Sequence, residues 1–474
     1  GLFFVSLPFY TTFPNGLWNN LPTWRVLVIE LTFVILIKLW VQHRTKHLGF
    51  SVVKSFVSQL QIWEKIAAGL LLFAIISLSV AQFPDHGLKQ IIYIVNIGLV
   101  YLVIRILLLL GQKQKLLIYF KYSLYLTVGL GCLQYVLSWW FEPYYFWQYW
   151  AAVISSLYYG TPLANVLAYS NSWLSAEEGG AIRMFGILQD THAFAVIVIF
   201  ALGLWLTRVK ITSQQVISAI KSQTWQFWIV LVLFAFALIA SGTRGAWLAM
   251  AAPMGLVLIG IWIYKAKILS LFPAITYIII VILFALSPFI TMGINAIRSI
   301  DGNDHFLDRA SSIYDLQEKS NAGRIEIWQS SLKYSITHPL GTGYGNFISS
   351  LYANSQVTNY DELANQKNLR YNLPQKFITA HSLYLHILVE LGLIGLVLFV
   401  SMALMLFVRI FKYLKSINFV ASENSILITN LGLVIVWLLA YGVFDVTILN
   451  ERVLIYTFAL SALLTHTLQE ETKE

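Results

Sequence analysis

Cysteine is almost absent from this chain: Cys132 stands alone among 474 residues. A single thiol excludes an intrachain disulfide and any metal site built on paired cysteines. Charge is scarce as well. Asp, Glu, Lys and Arg together make up 11% of the residues, against about 25% in soluble domains. What fills the space is apolar: 58% of residues are hydrophobic and the mean hydropathy is +0.71. Many windows reach the roughly 20 apolar residues needed to cross a bilayer, so membrane lipids are the expected surroundings. The net charge of +9 reads as basic cytoplasmic loops under the positive-inside rule, and no nucleic-acid partner is expected. Residues 1–13, GLFFVSLPFYTTF, lack the basic start and cleavage site of a signal peptide. They read as the remainder of a first membrane helix.

Apolar runs near 1–13, 23–41, 65–81, 88–110, 116–137, 186–206, 225–240, 243–263, 269–290, 382–408, 426–444 and 449–467 predict an all-α polytopic protein with about twelve transmembrane helices. The short connections carrying Arg44, Lys46 and Lys54, then Lys113, Lys115 and Lys121, then Arg208 and Lys210, then Lys265 and Lys267, then Arg409, Lys412 and Lys415 share one side by parity. Their charge makes that side cytoplasmic, and both termini with it. Two long connections, 138–185 and 291–381, then fall outside. The first contains SWWFEPYYFWQYW, a composition suited to the membrane interface. The second, between helices 9 and 10, is too long to be structureless. Within it, Ile325, Trp328, Leu332 and Ile336 recur at helical spacing over 322–337, and HPLGTGYGNF at 338–347 stops that helix. The chain thus divides into helices 1–9 (1–290), an external loop (291–381), and helices 10–12 with a cytoplasmic tail (382–474).

Polar residues gather where helices start on the external side. Arg183 precedes one such helix, Arg244 in SGTRGAWLA opens another, His381 opens a third, and Arg324 begins the helix of the long loop. An arginine at a helix N-terminus opposes the macrodipole by about 0.3–1 kcal/mol. Its repetition suits a bound anion, although Arg183 and Arg244 also fit as headgroup anchors, Arg324 as a surface charge and His381 as an interfacial polar residue. Glu390, inside an apolar run, costs about 2.5–3.5 kcal/mol in a bilayer and needs a partner or a proton. Nine residues at about 100° each put it opposite His381 on a straight helix, with His386 as its i−4 neighbour. Gly392 and Gly395 permit close helix packing, so Glu390 is expected to brace a neighbouring helix.

From about residue 181 to the C-terminus the chain resembles the O-antigen ligase and polymerase superfamily of bacterial membrane glycosyltransferases. The resemblance is carried by SGTR, by GRIEIW followed by HPLGTGYGNF, by HSLYLHILVELGLIG, and more weakly by YGVFDVTILNERV. Many relatives read Asp/Asn-Pro-Asn where this chain has Asp190-Thr191-His192, and Ala-His-Asn where it has Ala380-His381-Ser382. The resemblance implies a GT-C-like fold in the bacterial inner membrane and a periplasmic active site in the 291–381 loop. It implies transfer of a glycan from undecaprenyl diphosphate to an acceptor hydroxyl, such as a sugar of lipid A–core. It also implies that His381 is the base and that Arg244, Arg324 and Arg183 hold the diphosphate. Tyr384, His338, Glu390, Asp190 and His192 are carried over as supporting residues. No carboxylate–histidine cluster has metal-ligand spacing, and no metal or cofactor is expected. The alternatives are a polymerase or a protein-glycosylating enzyme of the same superfamily. A secondary transporter using Glu30 and Glu390 is a reading of another class.

Overall fold

The computed structural model describes residues 12–13, 21–46, 56–141, 143–159, 182–188, 190–207, 225–256, 319–347, 379–416 and 422–471, together with Phe3 and Lys54. The apolar run at 269–290, the remainder of the run at 243–263 and most of the 291–381 loop lie outside these residues.

The described structure is overwhelmingly helical. Thr12–Phe13 pairs antiparallel with Leu21–Pro22, so these two residues of the first apolar run are not helical. The helices that follow are α1 (Thr23–Lys46), α2 (Ile62–Ser77), α3 (Pro84–Leu109) and α4 (Lys113–Leu137). The aromatic stretch forms α5 (Pro143–Tyr149), a π turn (Trp150–Ser155) and α6 (Ser156–Tyr159). Then come α7 (Thr191–Leu206), α8 (Trp225–Ala240), α9 (Arg244–Ala249) and α10 (Lys319–Thr337). The chain closes with α11 (Leu383–Ser416), α12 (Glu423–Tyr441) and α13 (Glu451–Glu471). Among the described residues, five helical stretches, Ile62–Val80, Pro84–Leu109, Lys113–Trp140, Leu383–Tyr413 and Glu423–Tyr441, are long and apolar enough to cross a membrane. Helix starts follow local chemistry. Glu64 caps the Gln61 amide at 2.6 Å before α2, Pro84 occupies the first turn of α3, and Ser422 accepts the Ser425 amide before α12.

Helix α7 is the axis of the bundle. Every residue from Ala193 to Leu206 is buried, and α4, α8 and α12 pack along it. A helix apolar on all faces suits such enclosure, as it suits a bilayer. The connections sort to two ends. At one, Lys113 bonds Asn424 (2.8 Å) and Glu470, and Tyr413 bonds Glu471 (3.0 Å). At the other, Arg25 donates to Glu451 (3.0 Å), Arg452 to the Ile187 carbonyl (2.8 Å), and Leu383 N–H to the Gly442 carbonyl (2.6 Å).

Helix α11 departs from expectation. Its 34 residues would extend about 51 Å unbroken, far beyond the ~30 Å of a bilayer core. It breaks at Gly392, where φ is 63° and ψ −166°. The HPLGTGYGNF segment fills the break. Leu393 N–H donates to Pro339 O, Thr342 N–H to Val389 O and Gly343 N–H to Glu390 O, all at 2.9 Å. A side chain at 392 would overlap the Pro339 carbonyl, so the position demands glycine on two counts. The same segment ties to the α2–α3 turn: Phe83 N–H donates to Asn346 Oδ1 (2.8 Å) and Tyr344 N–H to Ser77 Oγ (3.0 Å).

Glu390 is explained by this joint, and the expected brace between helices is corrected. Its carboxylate accepts the Phe347 amide at 3.0 Å and faces His386 Nε2 at 3.5 Å. It braces a loop, at the level of the α2–α3 turn, beside the break in its own helix. Gly392→Ala is therefore expected to destabilise the fold by about 2 kcal/mol or more, read as a lower thermal midpoint in detergent. Gly69→Ala, where an added Cβ meets nothing within 4 Å, should leave the midpoint unchanged or slightly raised.

Candidate active site

The floor of the site is a buried amide. Gln134 of α4 accepts the Phe185 and Gly186 N–H groups through Oε1, both at 3.1 Å, and donates to the Arg183 carbonyl at 3.4 Å. Met184 N–H donates to the Ala240 carbonyl at the end of α8 (2.9 Å). The 182–188 segment is thereby fixed between α4 and the turn leading to α9. Arg183 is 4% exposed. Its Nε donates to Ser241 O (2.8 Å) and its Nη2 to Thr243 Oγ1 (3.4 Å). Gly242, at φ 62°, lets the turn pass under the guanidinium, since a Cβ there would come 2.9 Å from Arg183 Nε. Arg183 thus shapes the turn that presents Arg244 as the first residue of α9. Gly245 packs against Phe444 and Tyr441, which brings this helix start to the α12–α13 connection.

That connection carries the most polar group of the region. Asp445 is 7% exposed. Its Oδ1 accepts the Thr447 amide at 2.8 Å and the Thr447 hydroxyl. Its Oδ2 is 3.3 Å from His192 Nδ1 and 3.9 Å from His381 Nδ1. Burial pushes this carboxyl up, but the two imidazoles and the Thr447 donor outweigh it and hold the group well below the ordinary carboxylate range. Asp445 is therefore ionised at neutral pH. His192 Nδ1 is also 2.7 Å from the Tyr441 hydroxyl. Asp190 caps α7 by accepting the Ala193 amide (2.6 Å), and this cap places His192 at the mouth of the axial helix.

His381 reaches the same place in a strained conformation. Its φ of 47° is the only positive value among the described non-glycine residues. Such a backbone costs on the order of 1–3 kcal/mol and persists only where its surroundings over-determine it. They do so here. Trp328 of α10 donates to the Ala380 carbonyl (3.0 Å), and Leu383 N–H is bonded to Gly442 O. His381 Nδ1 is buried and makes no hydrogen bond with the described residues, whereas the side chain overall is 33% exposed. The open face of the ring is therefore on the Nε2 side. Arg324 lies one turn before Trp328, on the same side of α10, and its charge acts on His192 and Tyr441.

The structure thus gathers Arg183, Arg244, Arg324, His381, Asp190 and His192 at one end of the bundle. Arg324 sits in the second turn of α10, because that helix begins at Lys319 rather than near 322. Three other residues are placed elsewhere. Tyr384 donates its hydroxyl to the Leu439 carbonyl (2.8 Å) and joins α11 to α12. His338 stacks on Tyr334 at 4.0 Å and lies fourteen residues, about 21 Å along the helix axis, from Arg324. Glu390 belongs to the α11 break. Sequence reasoning missed Asp445, Tyr441 and Thr447. A carboxylate in the last connection that charge parity puts on the side of His381 is the signal that could have pointed to Asp445.

The family model described as O-antigen ligase matches residues 229–400, just over a third of the chain. The matched segment contains Arg244, Arg324 and His381, and stops short of both the 182–192 segment and Asp445. Among curated proteins, none matches this chain.

Gln134→Leu removes the acceptor of two buried amides and should cost about 1–3 kcal/mol. A lower thermal midpoint, with faster amide exchange at Phe185 and Gly186, is the expected readout. Unchanged exchange there would contradict the role assigned to Gln134.

Proposed function

We propose, on the premise that residues 229–400 form an O-antigen ligase family domain, that the chain is a membrane glycosyltransferase of the O-antigen ligase type. It moves a glycan from undecaprenyl diphosphate to an acceptor hydroxyl, with a lipid A–core sugar as the acceptor. It lies in the bacterial inner membrane with about twelve helices, both termini cytoplasmic and the site on the periplasmic face. The observation that carries this reading is the strained His381, open on its Nε2 side and backed by an ionised carboxylate, at the end of the bundle where Arg183, Arg244 and Arg324 also lie.

The chemistry follows from that arrangement. The acceptor oxygen attacks the anomeric carbon, and the bond from that carbon to the phosphate oxygen breaks. His381 Nε2 takes the acceptor proton, and the diphosphate leaves with the bonding electrons. Asp445 faces Nδ1, orients the ring and favours the imidazolium that forms. A positioned base contributes about 10²–10⁴ in rate. Arg244 and Arg324 bind the leaving diphosphate, because a guanidinium fork matches phosphate oxygens and stays charged. Arg183 supports them through the turn it shapes and through its charge. Attack opposite the leaving group gives inversion at the anomeric carbon.

The polymerase reading differs only in its acceptor, a second lipid-linked repeat unit. Purified protein in nanodiscs, given undecaprenyl diphosphate-linked glycan, should transfer it to lipid A–core in preference to repeat-unit lipid or a pilin-like protein. Transfer to repeat-unit lipid alone would make the enzyme a polymerase. His381→Ala should lower transfer at least about 100-fold, with the protein still folded. Arg244→Ala and Arg324→Ala should each weaken donor binding about tenfold or more, a loss of about 1.4 kcal/mol each. Retention of full transfer by His381→Ala would refute the base assignment.

A further inference from the structure

Two imidazoles approach one carboxylate oxygen. His192 Nδ1 lies 3.3 Å and His381 Nδ1 3.9 Å from Asp445 Oδ2, while Oδ1 is filled by the two Thr447 donors. The Tyr441 hydroxyl is 2.7 Å from His192 Nδ1. A bare Nδ1 would set its lone pair against the carboxylate oxygen, so the proton of His192 sits on Nδ1, between Asp445 Oδ2 and the Tyr441 oxygen. His192 is thereby the Nδ1–H tautomer, and the carboxylate is held from both sides with Oδ2 turned to His381.

We propose that His192 is a positioning residue: through Nδ1 it holds Asp445 so that Oδ2 fixes His381 as the Nδ1–H tautomer and leaves His381 Nε2 bare. This deepens the reading of His381 as the base and rests on it. The coupling is short and local. His381 Nδ1 has no other hydrogen-bond partner among the described residues, so the orientation of one carboxylate decides where its proton sits. A neutral imidazole without that acceptor populates both tautomers, and the Nε2–H form cannot take a proton from an acceptor hydroxyl.

Amide substitutions separate the two ring nitrogens. Asn carries its donor near the position of Nδ1, whereas Gln carries it near that of Nε2. Histidine-selective ¹⁵N labelling in nanodiscs, with His381 identified by subtracting the His381→Gln spectrum, reports the tautomer directly. Wild type and His192→Asn are expected to show His381 as Nδ1–H alone. His192→Gln is expected to show a second population carrying the proton on Nε2. His192→Leu, which removes both ring nitrogens, should have the same effect and serves if the Gln variant does not fold. In the transfer assay, His192→Gln should lose about tenfold or more in kcat, within the ~10²–10⁴ that a positioned base contributes. KM for the undecaprenyl diphosphate-linked donor should be unchanged, and His192→Asn should retain most of the rate. An identical His381 spectrum in every variant, or equal loss in Asn and Gln, would overturn the proposal. If wild type transfers glycan to no acceptor, the proposed function fails, and the spectra alone decide the role of His192.

Discussion

A buried carboxylate must find hydrogen-bond donors, and Asp445 draws together the parts of this molecule that chemistry would require. An ionised carboxylate taken from water without partners is costly enough to unmake its surroundings. Here the partners come from three places: Thr447 on its own turn, His192 at the mouth of α7, and His381 before α11. The bond from Leu383 N–H to Gly442 O binds the last of these to the same connection through the backbone. The site is thus a junction of helix ends, and its geometry depends on the packing of the helices behind it.

The second constraint is the break at Gly392. By interrupting α11, it opens carbonyls at Val389 and Glu390 to the Gly-rich segment that follows α10. Helix α10 is thereby anchored at its C-terminal end, while Trp328 anchors its middle to Ala380. Arg324 is held in place by both contacts, although neither touches it. Glu390 and His386 stabilise this joint, and the loop that looked like a simple helix stop is a structural element pairing with a broken helix. The motif's glycines and its glutamate serve the joint, and the histidine that precedes them serves the site.

Much of this was legible in the sequence, for definite physical reasons. The apolar run at 225–240 coincides with α8, because a continuous apolar stretch of that length has little alternative to a helix. Arg244 and His381 stood out because charge and topology put them at helix starts on one side. Other features were hidden. The sign of φ at Gly392 is not written in an apolar run, where glycine also reads as a packing residue. Asp445 was passed over because its two histidine partners are brought to it by tertiary contacts alone, from more than sixty residues away. Tyr384 and His338 carried the right chemistry in the wrong place, one spent on a helix carbonyl and the other stacked on Tyr334.

We propose one pocket at the His381 end for both the base and the leaving group. Cryo-electron microscopy of the protein in nanodiscs with a non-hydrolysable undecaprenyl diphosphate sugar analogue tests it most directly. Diphosphate density is expected between the Arg244 and Arg324 guanidinium groups. The anomeric carbon should lie close enough for an acceptor oxygen about 3–3.5 Å away to reach His381 Nε2 as well. Diphosphate density at the opposite end of the bundle, or out of reach of both arginines, would contradict it.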